Sequence, residues 1–79
     1  MDLAKFDNKI LRVALFDGEY KEHSHDDYEE IFIVYKGKIT IVVDGERVEL
    51  SEGQGISVPR GAKHKAIATS SSCVLFIDE

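Results

Sequence analysis

The chain has no tryptophan, one proline, one methionine and one cysteine among its 79 residues. A lone Cys73 cannot close an internal disulfide. Its place in the strand-like run "SSCVLFIDE" marks it as a buried structural thiol, since an apolar setting lowers no thiol pKa. No apolar run approaches the roughly 20 residues that a membrane-crossing helix needs. The opening "MDLAKFDNKI" lacks the basic patch and continuous apolar core of an export signal, so a cytoplasmic protein is expected. Lys and Arg nowhere cluster with interleaved aromatics, and ten basic against fifteen acidic residues leave a net charge of −5. Neither nucleic acid nor a membrane is an expected partner for such a field. Linker-like, low-complexity and internally repeated stretches are missing too, and no helix-length segment carries a helical apolar period.

What is present is the composition of an ordinary globular protein, 43% hydrophobic and 32% charged. The length suits one domain spanning residues 1–79. Short β-rich runs between turn residues cover 10–16, 30–35, 39–43, 47–50, 55–58, 64–69 and 73–77. Many short strands at close spacing predict an all-β sandwich or barrel.

Two dipeptides predict the register in the middle of the chain. Lys36-Gly37 is read as a tight turn pairing Val34 with Ile39, Phe32 with Ile41 and Glu30 with Val43. Asp44-Gly45, a strong hairpin signal, sets Ile41 against Val48 and Ile39 against Leu50. Side chains alternate between faces, so one face carries Glu30, Phe32, Val34, Ile39, Ile41, Val43, Val48 and Leu50. Glu30 is the single polar member. Burying an ionised carboxylate is costly without a compensating charge or metal; otherwise Glu30 sits at the mouth, where water reaches it. Glu29 takes the opposite face, with Ile31, Ile33, Tyr35, Thr40 and Val42, and with Arg47 and Glu49 on the third strand. That face is too apolar for water, so further strands or a second subunit should cover it, and a homodimer is expected.

The octet His23-Ser24-His25-Asp26-Asp27-Tyr28-Glu29-Glu30 breaks the alternating pattern. In an extended segment His23 and His25 leave the same side and can converge on one point. Two surface histidines at a turn would leave the same trace. Glu30 adds a hard oxygen ligand, and His64, the remaining histidine, begins a strand after a turn bracketed by Pro59 and Gly61.

These residues resemble the two motifs of the cupins. The first is Gly, five residues, His-x-His, three or four residues, Glu, six residues, Gly; His23, His25, Glu30 and Gly37 match it within 18–37, with Gly18 one residue too close. The second is matched within 53–68 by Gly53, Pro59, Gly61 and His64, while its closing Asn is replaced by Ala68.

The resemblance implies a small jelly-roll-like cupin barrel of antiparallel strands. It also implies one divalent transition metal per chain, held by His23, His25, Glu30 and His64. Three nitrogens and one oxygen suit Fe, Mn, Co, Ni or Zn and do not choose among them. Asp26, Asp27 and Glu29 either orient the ligating imidazoles or solvate a loop. Phe32, Val34, Ile41 and Val43 are the expected pocket lining, with Tyr28 close to its mouth.

The leading expectation is a metal-dependent enzyme acting on a small organic substrate that chelates the metal, by oxygenase-like or related Lewis-acid chemistry. No Arg or Lys pair enters the expected pocket, which argues against phosphosugars. The alternative is a non-catalytic binding or sensing module with a structural metal. A third reading has no metal and three pH-sensitive surface histidines.

Overall fold

A computed structural model of the chain describes residues 1–19 and 29–78. They form seven strands: β1 (Asp2–Phe6), β2 (Lys9–Glu19), β3 (Glu30–Lys36), β4 (Lys38–Val43), β5 (Glu46–Ser51), β6 (Gly55–Val58) and β7 (His64–Asp78). Every ladder is antiparallel. No helix among the described residues is long and apolar enough to cross a membrane.

The long strand β7 organises the sheet. Along one side it pairs with β2, from Ile10↔Asp78 to Glu19↔Ile67. Along the other side its C-terminal half pairs with β3 and its N-terminal half with β4. β1 and β6 extend the first part of the sheet and β5 the second, giving a jelly-roll-like fold whose sheet does not close. The core is shared by both parts: Phe32 and Val34 of β3, Ile39 and Ile41 of β4, Leu50 of β5, Val58 of β6, and Ala66, Ala68 and Val74 of β7. Each large aliphatic side chain so buried contributes about 1.5–3 kcal/mol relative to exposure.

Three features depart from the sequence reading. β1 was not expected, because all five of its residues are exposed and no apolar alternation marks it. The runs 64–69 and 73–77 are one strand: Ser70-Ser71-Ser72 looks like a turn, but Ser72 is buried and β2 accompanies the segment. The expected β3–β4 hairpin does not exist. β3 pairs with β6 and β7, β4 with β5 and β7, so Gly37 marks a change of partner rather than a hairpin turn.

Ser72 explains that change. A Cβ on Gly37 would overlap the Ser72 side chain, and Gly37 has φ 91°, in the left-handed region. The Lys38 N–H donates to Ser72 Oγ at 3.3 Å, and Gly37 N–H donates to Glu52 Oε2 at 3.1 Å. The seat of the corner is therefore on β7, far away in sequence.

The Asp44-Gly45 hairpin forms as expected, with Ile41↔Val48 and Ile39↔Leu50 in register and positive φ at both turn residues, as a type I′ turn requires. Facing is also as expected. Glu30, Phe32, Val34, Ile39, Ile41 and Leu50 are buried and Val43 and Val48 half-buried, although the strands expected to be neighbours are not. Parity within a strand survives a change of partner.

Candidate metal centre

Glu30 and His64 are the first residues of β3 and β7, and both point into the fold. The backbone before His64 is braced twice. Ala62 N–H donates to Pro59 O at 3.2 Å, closing the expected turn. The Asp44 side chain accepts from Lys63 N–H at 3.0 Å while its own N–H donates to Lys63 O at 2.8 Å. The β4–β5 hairpin thus holds the entry to β7.

His64 is 2% and Glu30 4% exposed. His64 Nε2 stands 2.9 Å from Glu30 Oε1, and Nδ1 stands 3.1 Å from the Ala62 carbonyl. A carbonyl can only accept, so Nδ1 carries a hydrogen and Nε2 is the nitrogen that faces Glu30. A single proton between Nε2 and Oε1 satisfies both atoms. A metal ion can take the place of that proton, because both atoms then offer lone pairs to one point.

Glu30's carboxyl is pushed up to about 9, first by burial, then by hydrogen bonding to and the charge of Asp78, with Arg12 acting in the opposite sense. The β3–β7 register explains the contact. Ile31 lies across from Ile77, and one further step sets Glu30 across from Asp78. Asp78 Oδ2 accepts from Arg12 Nη1 at 3.1 Å. Its buried Oδ1 meets no donor among the described residues unless the Glu30 oxygen not shared with His64 carries a proton in addition to the one between that pair. Arg12 Nε lies 3.0 Å from Asp2 Oδ1, a contact of charges rather than an aligned hydrogen bond. Glu29 is exposed and accepts from Ser57 Oγ at 3.1 Å, on the opposite face as expected.

The donor chemistry fits a metal. Metal–donor bonds of about 2.1 Å place neighbouring donors about 3 Å apart, the separation that Glu30 and His64 already have. Among the described residues no three His, Cys, Asp or Glu side chains gather around a common point. The other two expected ligands, His23 and His25, lie outside the described residues, as do Tyr28, Asp26 and Asp27.

Beneath the pair lies a cavity of about 140 Å³, with Glu30 and His64 at one edge and walls from Ala14, Phe16, Phe32, Ala66, Val74 and Phe76. Of the expected lining residues, Phe32 borders it; Val34 and Ile41 lie in the core and Val43 packs against that core. Ala68, in place of the motif's Asn, is 2% exposed within the same apolar core, where an amide would have few partners.

Sequence reasoning missed Arg12, Asp78, Phe16 and Phe76. Alternation along β2 offered a signal, since Arg12, Ala14 and Phe16 share a parity. Asp78 ends an apolar run and read as the start of a polar terminus.

A family model for the cupin domain matches residues 13–78. The chain belongs to the cupin family. The Bacillus subtilis (strain 168) protein YdbB is 32% identical over 76 residues, covering 91% of this cupin and 67% of YdbB. A protein of Aquifex aeolicus (strain VF5) is 38% identical over 53 residues, 67% of this cupin and 44% of that protein. The crystal structure of a cupin-2 domain containing protein from Shewanella frigidimarina superposes with a TM-score of 0.94 at 26% identity, over 99% of this cupin and 76% of that chain. Cupins commonly bind a metal, in keeping with the Glu30–His64 pair.

Proposed function

We propose that this cupin holds one divalent transition metal per chain (Fe, Mn, Co, Ni or Zn) through His23, His25, Glu30 and His64, and acts on a small organic molecule bound in the adjoining cavity. The observation that carries this reading is the convergence of His64 Nε2 and Glu30 Oε1 at 2.9 Å, buried at the edge of that cavity. When bound, the metal would supply Lewis acidity or, as Fe or Mn, redox chemistry with O₂. The protein's own contributions are separate. The Nδ1–H···O=C bond to Ala62 orients the imidazole and fixes its tautomer. The apolar walls exclude water and seat the apolar body of the ligand.

A second copy of the chain is part of the proposal. β2, β7 and β3 present two apolar rows outward, Leu11–Ile77–Ile31 and Val13–Leu75–Ile33, continued by Leu15 and by Cys73, which is half-buried here rather than buried as its sequence setting suggests. Leu15 is 78% exposed, and this mainly apolar face, with Glu29 and Lys9 beside Ile31 and Ile77, suits a homodimer contact. Val42, expected on the dimer face, is instead buried beside Arg47 and Lys65 on the other part of the sheet. A cytoplasmic setting belongs to the same reading.

Metal analysis of protein purified without a histidine tag tests the centre. One metal per chain in the wild type and its loss in His64→Ala are expected; equal metal content in the two would refute the assignment. Screening the metal-loaded protein for O₂ consumption or substrate conversion separates enzyme from sensor, since binding without turnover supports the sensing module.

A further inference from the structure

We infer that the cavity takes a neutral, single-ring phenol, its ring seated against the Phe16, Phe32 and Phe76 walls and its hydroxyl turned toward the Glu30–His64 edge. The inference deepens the proposed function and rests on it only for what the hydroxyl meets.

Size comes first. A cavity of about 140 Å³ is close to the roughly 150 Å³ apolar cavity that accepts benzene. One ring fits, whereas a fused bicycle or a hexose needs more room. The room exists where Ala14 and Ala66 stand on the wall beside the bulkier Phe16, Val74 and Phe76.

Wall chemistry narrows the class. Phe32 and Phe76 present stacked rings with centroids 6.2 Å apart and planes inclined by 29°, and His64 meets the Phe32 ring at 5.8 Å in an edge-on arrangement. Flat faces of this kind favour a flat aromatic guest. A sugar would leave several hydroxyls against apolar carbon with no partner. Among the described lining residues only Glu30 and His64 are polar, and they touch each other, so they satisfy one oxygen on the guest at that edge.

Charge removes the anions. No Lys or Arg lines the cavity among the described residues, and Arg12, on the same face of β2, is committed to Asp2 and Asp78 at 3.0 and 3.1 Å. A carboxylate or phosphate would therefore find no basic side chain among the described residues to repay its desolvation within these apolar walls. An ammonium would meet, among the described residues, carboxyls already engaged by His64 and Arg12, which leaves a neutral hydroxyl as the head group.

The test uses untagged protein whose metal content is measured on the same sample. Phenol, benzoate, benzylamine and 2-naphthol are titrated by calorimetry, and contacts are read by NMR from phenol ring protons to the methyls of Ala66 and Val74. Phenol should bind at least tenfold more tightly than the other three and show those contacts. Ala66→Leu, which fills the cavity, should weaken phenol at least tenfold with metal content retained; Ala14→Val serves if that variant does not fold. Equal or tighter binding of benzoate, benzylamine or naphthol, or unchanged phenol affinity in a folded cavity-filling variant, overturns the inference. Metal without phenol binding overturns this inference and leaves the metal centre standing; phenol binding without metal does the reverse.

Discussion

His64 Nε2 and Glu30 Oε1 meet at 2.9 Å across a sequence separation of 34 residues. Neither lies in a ladder with the other. Glu30 stands across from Val58 of β6 and His64 across from Val43 of β4, and the two arrive at one point because β3 and β4 share β7 as a partner. The inward parity of each strand start supplies the direction, and the corner at Gly37 supplies the meeting.

The raised Glu30 pKa makes the metal-free protein less stable as pH rises. The unfolded chain releases this proton near the ordinary value of 4.5, and the folded chain keeps it to about 9. Between those limits the folded state binds the additional proton, so unfolding free energy falls with increasing pH, and beyond them this group contributes no slope. In chelator, Glu30→Gln should flatten the melting midpoint between about pH 6 and about pH 8.5 and raise it at the upper end. Parallel wild-type and variant curves would show that Glu30 ionises normally.

Arg12 compensates the buried Asp78 carboxylate through Nη1 at 3.1 Å. Arg12→Met should cost about 3 kcal/mol in denaturant titration, because it strands a charge beside Glu30. Adding Asp78→Asn should recover most of that loss. Additive losses in the double variant would mean that the pair is not coupled.

Gly37→Ala should be among the most damaging single-methyl additions in the chain. Its φ of 91° disfavours any side chain, and the new Cβ would overlap Ser72. Strain and overpacking together predict a loss of about 2–4 kcal/mol. Ser72→Ala in the same chain removes only part of the clash, so it should restore only part of the stability. A neutral Gly37→Ala, measured by thermal and chemical denaturation, would refute the corner's role.

The outward rows of β2, β7 and β3 predict a dimer by light scattering at micromolar concentration. Ile33→Glu, 36% exposed at the β3 end of the second row, should give a folded monomer. A monomeric wild type would remove the second copy from the proposal and leave the metal centre untouched.

Much of the site was legible in the sequence. The inward facing of Glu30, the outward facing of Glu29, the Asp44-Gly45 hairpin and the turn before His64 each follow from spacing within a few residues, and each is found. The β3–β4 hairpin failed for a reason that no local pattern holds, since the space at Gly37 is taken by Ser72. Arg12 and Asp78 escaped notice because a charge on a strand reads as solvent-facing until its partner is known.

By itself the sequence determined the strand periodicity, the apolar face and the inward parity of Glu30, because side-chain alternation and turn chemistry are properties of neighbouring residues. Only the tertiary structure decided which strands are neighbours, how Ser72 seats the corner at Gly37, and how Arg12 and Asp78 come to stand beside Glu30. Strand pairing is a choice among many near-equivalent backbone ladders, settled by packing between segments far apart in the chain.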